Sequence, residues 1–90
     1  MAVIAMFEVE GANAAKYDEV IGRLTEMGLR VPDGQLYHVC YGDKDRLQVI
    51  DVYENQAKLD AFGAKLVPLL QEMGIQAKPA VHEVYNIISG

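Results

Sequence analysis

Four side chains that could take part in acid–base or nucleophilic chemistry lie within two runs that otherwise resemble buried β-strands. The runs are LYHVCY and LQVIDVY, and the four residues are His38, Cys40, Asp51 and Tyr53. An imidazole titrates near neutral pH, so a histidine is suited to proton transfer, and a nearby carboxylate can orient it. We therefore take His38, Asp51 and Tyr53 as the candidate catalytic residues.

Each of these residues also has a purely structural explanation. His38 could be a hydrogen-bonded histidine inside an interface, and a His38–Asp51 pair could be a structural ion pair. Tyr53 could hydrogen-bond a phenolate or carbonyl oxygen of a ligand, or could simply be an aromatic residue of the core. Cys40 is expected to be a small buried hydrophobic residue, because no basic residue near it would lower its pKa.

Motifs for metals and cofactors are missing from the sequence. There is no HxH, HExxH or CxxC spacing and no glycine-rich phosphate loop, and Cys40 is the one cysteine. We expect no metal site, no cofactor and no disulfide.

Composition limits the classes of partner. The chain has 90 residues, which favours a single domain over residues 1–90, and its net charge of −5 argues against nucleic acid or an anionic membrane as ligand. The N-terminal run MAVIAMF is too short for a signal peptide, and no apolar run has the length of a membrane span. A cytoplasmic protein is expected. Apolar residues make up 51% of the chain, which is generous for a small domain.

Hydrophobic periodicity predicts the order βαββαβ. We expect strands at residues 2–9, 35–41, 47–53 and 81–88. Asn13 and Asn55 are expected to cap two amphipathic helices that end at Gly28 and Gly74. Pro68 should kink the second helix without ending it, because the apolar stripe continues beyond it.

This order is typical of a ferredoxin-like α+β fold, with a four-stranded antiparallel sheet and both helices on one face. The other face would then be uncovered. A sheet with one solvated face should alternate apolar and polar residues. AVIAMFEV and VYNIIS are instead apolar on both sides, so a further layer should cover the second face.

Strand alternation predicts which residues share a face. A four-residue connection would pair Tyr41 with Arg46 and so place His38 opposite Val49. The face predicted to be open carries Leu36, His38, Cys40, Leu47, Val49, Asp51 and Tyr53. The face predicted to lie under the helices carries Tyr37, Val39, Tyr41, Ile50 and Val52.

The first and last strands add further ligand-binding candidates. In the first strand, Val3, Ala5, Phe7 and Val9 are predicted to be core. Met6 and Glu8 should then lie on the open face and join Val49 as ligand contacts. The pattern of the last strand does not distinguish its two faces, and we include His82 and Asn86 as candidates.

The chain resembles the dimeric α+β barrel superfamily, in particular its small antibiotic-biosynthesis-monooxygenase-like proteins. The resemblance covers nearly the whole chain and rests on the βαββαβ order, on VIDVYEN, and on LDAFGAKLVPLL, which is similar to the second helix of that family. It implies a homodimer with sheets packed face to face and a pocket between sheet and helices in each subunit. Haem degradation is not expected, because residues 55–73 lack the histidine that the haem-degrading branch uses.

Two functions remain open at this point. One is a cofactor-independent monooxygenase or isomerase/cyclase acting on a small aromatic or polyketide-like substrate, as the resemblance implies. The other is a non-catalytic dimer that binds a small apolar ligand or serves as an accessory protein.

Overall fold

The computed structural model describes residues 1–90 as four strands and two helices in the order βαββαβ. The strands are β1 (Val3–Glu10), β2 (Gln35–Asp43), β3 (Arg46–Tyr53) and β4 (Gln76–Glu83), and the helices are α1 (Ala14–Glu26) and α2 (Gln56–Glu72). All strand pairs are antiparallel, in the order β2-β3-β1-β4. The predicted ferredoxin-like α+β fold is confirmed. Neither helix has the length and hydropathy that a membrane span requires.

Both helices begin at the predicted asparagine caps. The Asn13 side chain accepts a hydrogen bond from the Lys16 backbone N–H at 2.8 Å, and Asn55 does the same for Lys58 at 2.9 Å. Each bond satisfies a backbone donor that has no partner inside the helix. The start of each helix is therefore fixed by its own sequence.

Both helices also end as the sequence predicts. Gly28 and Gly74 adopt φ of +74° and +70°, which glycine adopts without steric cost and which reverses the chain after each helix. α2 continues through Pro68 to Glu72, so the predicted continuation of the helix is confirmed.

The core lies between the two helices and one face of the sheet. Ala5 and Tyr53 of that face are completely buried. Antiparallel pairing of Val3 with Tyr53 and of Ala5 with Asp51 places β1 and β3 side chains together beneath the helices. The buried cluster consists of Val3, Ala5, Val20, Leu24, Tyr53, Leu59, Phe62, Leu69 and Ile75.

The sheet face that carries His38, Asp51 and Tyr53 is thus the covered face, and its predicted assignment to the open face was wrong. The predicted core residues of β1, Val3 and Ala5, are the direct neighbours of Tyr53 and Asp51, so the two assignments were incompatible. The uncovered face instead carries exposed large apolar side chains, namely Met6, Tyr37, Val39 and Tyr41.

Two strand boundaries also differ from prediction. The β2–β3 hairpin has a shorter connection, with Asp43 paired to Arg46 and His38 opposite Asp51. β4 begins at Gln76 and ends at Glu83, and residues 84–90 lie outside it. The strand starts directly after the chain reversal at Gly74, and Pro79 is tolerated because β4 is an edge strand.

We predict opposite effects for two glycine-to-alanine substitutions. At Gly42 (φ +104°) an added Cβ would lie 2.9 Å from the Arg46 carbonyl oxygen, so Gly42→Ala should lower the free energy of unfolding by about 1–3 kcal/mol. Gly22 lies in α1 with no atom near the added Cβ, so Gly22→Ala should raise it by about 0.5–1 kcal/mol. Urea unfolding at one protein concentration measures both. A Gly42→Ala variant as stable as the parent chain would contradict this account of the hairpin.

Candidate functional site

A continuous chain of hydrogen bonds joins three side chains from three elements. The Nδ1 atom of His38 lies 2.5 Å from Oδ1 of Asp51, and its Nε2 atom lies 2.6 Å from the Tyr17 hydroxyl. The rings of Tyr17 and His38 are nearly parallel, with 6.0 Å between their centroids. Both nitrogens of the imidazole are therefore occupied, one by a carboxylate and the other by a phenol.

Asp51 is the buried end of this chain, with 4% of its surface exposed. Its Oδ1 atom also lies 3.5 Å from Nε2 of Gln35, which donates a second hydrogen bond at 3.3 Å to the Tyr53 hydroxyl. Gln35 and His38 are three positions apart and would face opposite sides of a regular strand. A register shift between Gln35 and Tyr37 places both on the covered face, where both contact Asp51.

Tyr17 is brought to His38 by the way α1 is joined to the hairpin. The Ala14 N–H donates to the Lys44 carbonyl at 2.7 Å, and the Leu47 N–H donates to the Ala12 carbonyl at 3.2 Å. These bonds hold the first turn of α1, which contains Tyr17, against the hairpin that carries His38 and Asp51. The site is therefore assembled by backbone contacts between α1 and the β2–β3 hairpin, which are distant in sequence.

Protonation follows from these partners. Burial raises the pKa of Tyr17 to about 12, and the nearby Cys40 and Asp51 add to this effect, so its phenol is neutral at neutral pH. A neutral imidazole with its proton on Nδ1 donates to Asp51 and accepts the Tyr17 O–H at Nε2, so both ring nitrogens are satisfied and the Tyr17 oxygen can still accept a hydrogen bond. A protonated imidazole would reverse only the Tyr17 bond.

An apolar cavity of about 100 Å³ lies next to this chain, between the sheet and the helices. Fifteen of its twenty lining residues are hydrophobic, and Gln35, His38 and Asp51 are among the few polar ones. An open groove of about 310 Å³ lies on the outer side, lined by Tyr17, Asp18, Ile21, Arg30 and His38. Since Tyr17 and His38 line both spaces, their hydrogen bond stands at the boundary between them.

Comparison with solved structures identifies the fold. The chain superimposes on a protein from Deinococcus radiodurans that is provisionally assigned as an antibiotic biosynthesis monooxygenase (TM-score 0.64, 13% identity, 99% of this chain and 97% of the other). It also superimposes on SnoaB, a cofactor-independent oxygenase from Streptomyces nogalater (TM-score 0.62, 17% identity, 99% and 96%). The chain thus shares the ferredoxin-like α+β fold of these proteins. No protein-family model and no curated protein sequence matches the chain.

A provisionally assigned monooxygenase from Shewanella loihica has the same fold (TM-score 0.53, 16% identity, 96% of this chain and 94% of the other). At these identities the similarity establishes the shared fold and leaves the chemistry to the residues of this chain.

Three of the predicted site residues lie together within this fold. His38, Asp51 and Val49 all line the cavity. Tyr53 was expected to point into the same cavity, and the structure contradicts this: its side chain is completely buried and stacks on Phe62 with 6.1 Å between ring centroids. Burial raises the pKa of Tyr53, and the negative charge of Asp51 adds to the effect. Tyr53 supports the site through Gln35 and lies too deep to contact a ligand there.

The other predicted ligand contacts lie elsewhere. Met6, Glu8 and His82 are on the uncovered face, since His82 pairs with Ile4, and Asn86 follows the end of β4. They were grouped with His38 only because the open face had been assigned to the wrong side of the sheet. Cys40, expected to be buried, is only partly buried near Tyr17, and that burial raises the pKa of its thiol.

Sequence reasoning did not identify Tyr17 or Gln35 as site residues. Tyr17 belongs to the apolar stripe of α1, and that stripe does not reveal which strand residue its hydroxyl will meet. Gln35 reaches Asp51 only because of the register shift, for which the sequence gives no signal. No group of three or more His, Cys, Asp or Glu side chains is close enough together to hold a metal ion.

The raised pKa of Tyr17 predicts a pH dependence of stability. A phenol whose pKa is higher in the folded protein stabilises the fold below its unfolded pKa of 10.0, and that contribution is lost as the pH rises to about 12. Between these values the free energy of unfolding should fall more steeply for the parent chain than for Tyr17→Phe. The difference in phenolate absorbance between the two proteins should have its midpoint near pH 12. A midpoint near the ordinary value of 10.0 would contradict this.

Proposed function

We propose that the protein is a small cofactor-independent, monooxygenase-like enzyme acting on a small aromatic or polyketide-like substrate. The observation that carries the proposal is the Tyr17–His38–Asp51 hydrogen-bond chain at the edge of an apolar cavity. A base oriented by a buried carboxylate is an arrangement suited to general base catalysis. The fold shared with a cofactor-independent oxygenase supports the same class of chemistry.

The geometry suggests how a proton would leave the substrate. A phenolic or enolic O–H in the groove can donate to the Tyr17 oxygen while Tyr17 passes its own proton to Nε2 of His38. The imidazolium that forms is stabilised by Asp51, 2.5 Å from its other nitrogen. A substrate that displaces the Tyr17 hydroxyl could instead give its proton to His38 directly.

Deprotonation makes the substrate electron-rich enough to reduce oxygen itself. In the proposed reaction a ring CH₂ group and O₂ become a C=O group and water, so one oxygen atom enters the product and the other leaves as water. The substrate supplies all the electrons, and the apolar cavity excludes solvent from the reactive anion. The protein therefore only binds the substrate, orients it and accepts its proton.

Replacement of His38 tests the proposal directly. Oxygen uptake with anthrone-like and dihydroxynaphthalene compounds should fall by about 10²- to 10⁴-fold in His38→Ala, because the proton acceptor is removed. His82→Ala is the matched control, since His82 lies on the opposite face of the sheet. Full turnover by His38→Ala, with its fold verified by circular dichroism, would refute the proposed base.

A second candidate function is ligand binding without catalysis. The cavity of about 100 Å³ is smaller than the ~300–1,000 Å³ of ordinary ligand pockets, and Nε2 of His38 is already occupied by Tyr17. Both facts fit a structural His–Asp pair beside a small apolar binding site. Tight binding of the same compounds with no oxygen uptake would favour this function.

We also propose that the protein forms a homodimer through the uncovered sheet face. Met6, Tyr37, Val39 and Tyr41 lie on this face, each between 43% and 50% exposed. Apolar patches of this kind on a sheet are typical of protein–protein interfaces. A second copy packed face to face would cover them and would explain strands that are apolar on both sides.

A charge placed between Tyr37 and Tyr41 on this face should dissociate the dimer. Light scattering of the parent chain should give about twice the 9.9 kDa chain mass. Val39→Glu should raise the dimer dissociation constant about a hundredfold or more, because its carboxylate would be buried without a partner. Val31→Glu, an exposed residue of the α1–β2 connection, is the control and should remain dimeric. A monomeric parent chain at micromolar concentration would refute the interface.

A further inference from the structure

We infer that Arg30 binds the carboxylate of an aromatic acid whose ring lies in the groove and whose hydroxyl meets the Tyr17–His38 pair. The inference rests on the proposed function, because it names the substrate class of the same site. Its basis is the position and the pairing of Arg30 relative to the other charged groups of the site.

The end of α1 fixes the position of Arg30. The Leu29 N–H donates to the Leu24 carbonyl at 2.7 Å and the Gly28 N–H donates to the Thr25 carbonyl at 3.0 Å, a pair of bonds that closes the last turn of the helix. Leu29 and Pro32 on either side both line the cavity. The exposed Arg30 therefore lies at the rim, in a segment whose Leu29 and Pro32 face inward while Val31 faces outward.

Arg30 contributes to both spaces that meet at the Tyr17–His38 pair. It lines both the apolar cavity and the outer groove. The other residues that line both spaces are Tyr17, Ile21 and His38. A ligand extending from the hydroxyl of Tyr17 along either space would thus have the guanidinium within the same site.

The charge of Arg30 has no partner in the chain. Arg23 is paired with Glu72 and Lys58 with Asp33, whereas Arg30 forms neither an ion pair nor a side-chain hydrogen bond. It is the one permanent cation that lines the cavity or the groove. In a chain of net charge −5, an unpaired guanidinium at the mouth of an apolar site favours an anionic ligand group.

Asp18 opposes an anion in one part of the groove. It lines the groove on α1 and forms no ion pair with Arg30. A carboxylate is therefore expected on the Arg30 side, while the uncharged hydroxyl end of the ligand is expected nearer to Tyr17. Guanidinium binds a planar carboxylate through two parallel hydrogen bonds, which would also orient the ring.

The test compares hydroxynaphthoate with its primary amide, which has the same shape without the charge. Calorimetry should show about tenfold tighter binding of the carboxylate to the parent chain. Arg30→Gln should remove this preference. Arg46→Gln is the matched control, since Arg46 is exposed in the hairpin and lines neither space, and it should keep the preference.

Equal affinities for the two compounds, a preference that survives Arg30→Gln, or no binding of either compound would overturn the inference. Oxygen uptake, measured separately, distinguishes it from the proposed function. An Arg30-dependent preference without oxygen uptake supports the carboxylate site and refutes the oxygenase. Oxygen uptake without an Arg30-dependent preference for the carboxylate refutes the carboxylate site and supports the oxygenase.

Discussion

The burial of one carboxylate is the constraint on which the rest of the site depends. Asp51 is almost completely shielded from water, and a buried charge costs several kcal/mol unless it is hydrogen-bonded. His38 and Gln35 supply those bonds. The imidazole that is held in this way has only Nε2 left, and Tyr17 meets it there. The buried carboxylate of Asp51 therefore positions the imidazole of His38, and the imidazole in turn pairs with the phenol of Tyr17 in α1. Any change at His38 acts on the fold and on the site together.

The alternation of side chains along the strands could be predicted from the sequence, and it survived an error in register. The connection between β2 and β3 is two residues shorter than predicted, because Arg46 pairs with Asp43 and not with Tyr41. A shift by two keeps each side chain from Tyr37 onward on its face, so His38, Cys40 and Asp51 still share one face as predicted. The helix caps and stops were also predictable, because they depend on single asparagine and glycine residues.

Which face the helices cover could not be decided from the hairpin alone, because both of its faces are largely apolar. The decision lies in the pairing of β1 with β3, a contact between residues distant in sequence. The contribution of Gln35 depends on a register shift of one residue, and that of Tyr17 on the two backbone bonds between α1 and the hairpin. These are tertiary features, which local propensity and hydrophobic periodicity do not predict.

The bond between Tyr17 and His38 has two roles that are difficult to separate. It closes the boundary between the cavity and the groove, and it occupies the nitrogen that would serve as base. A ligand that lies in the groove can leave this bond intact, whereas one that extends through both the groove and the 100 Å³ cavity must move Tyr17. A ligand hydroxyl that takes its place would restore the hydrogen bond to Nε2, so the exchange leaves no buried polar group unpaired. An apolar ligand without a hydroxyl would break the bond and leave Nε2 of His38 without a hydrogen-bond partner. Under the proposed function, the resting hydrogen bond would therefore favour phenolic and enolic ligands, the class that a base at His38 could deprotonate.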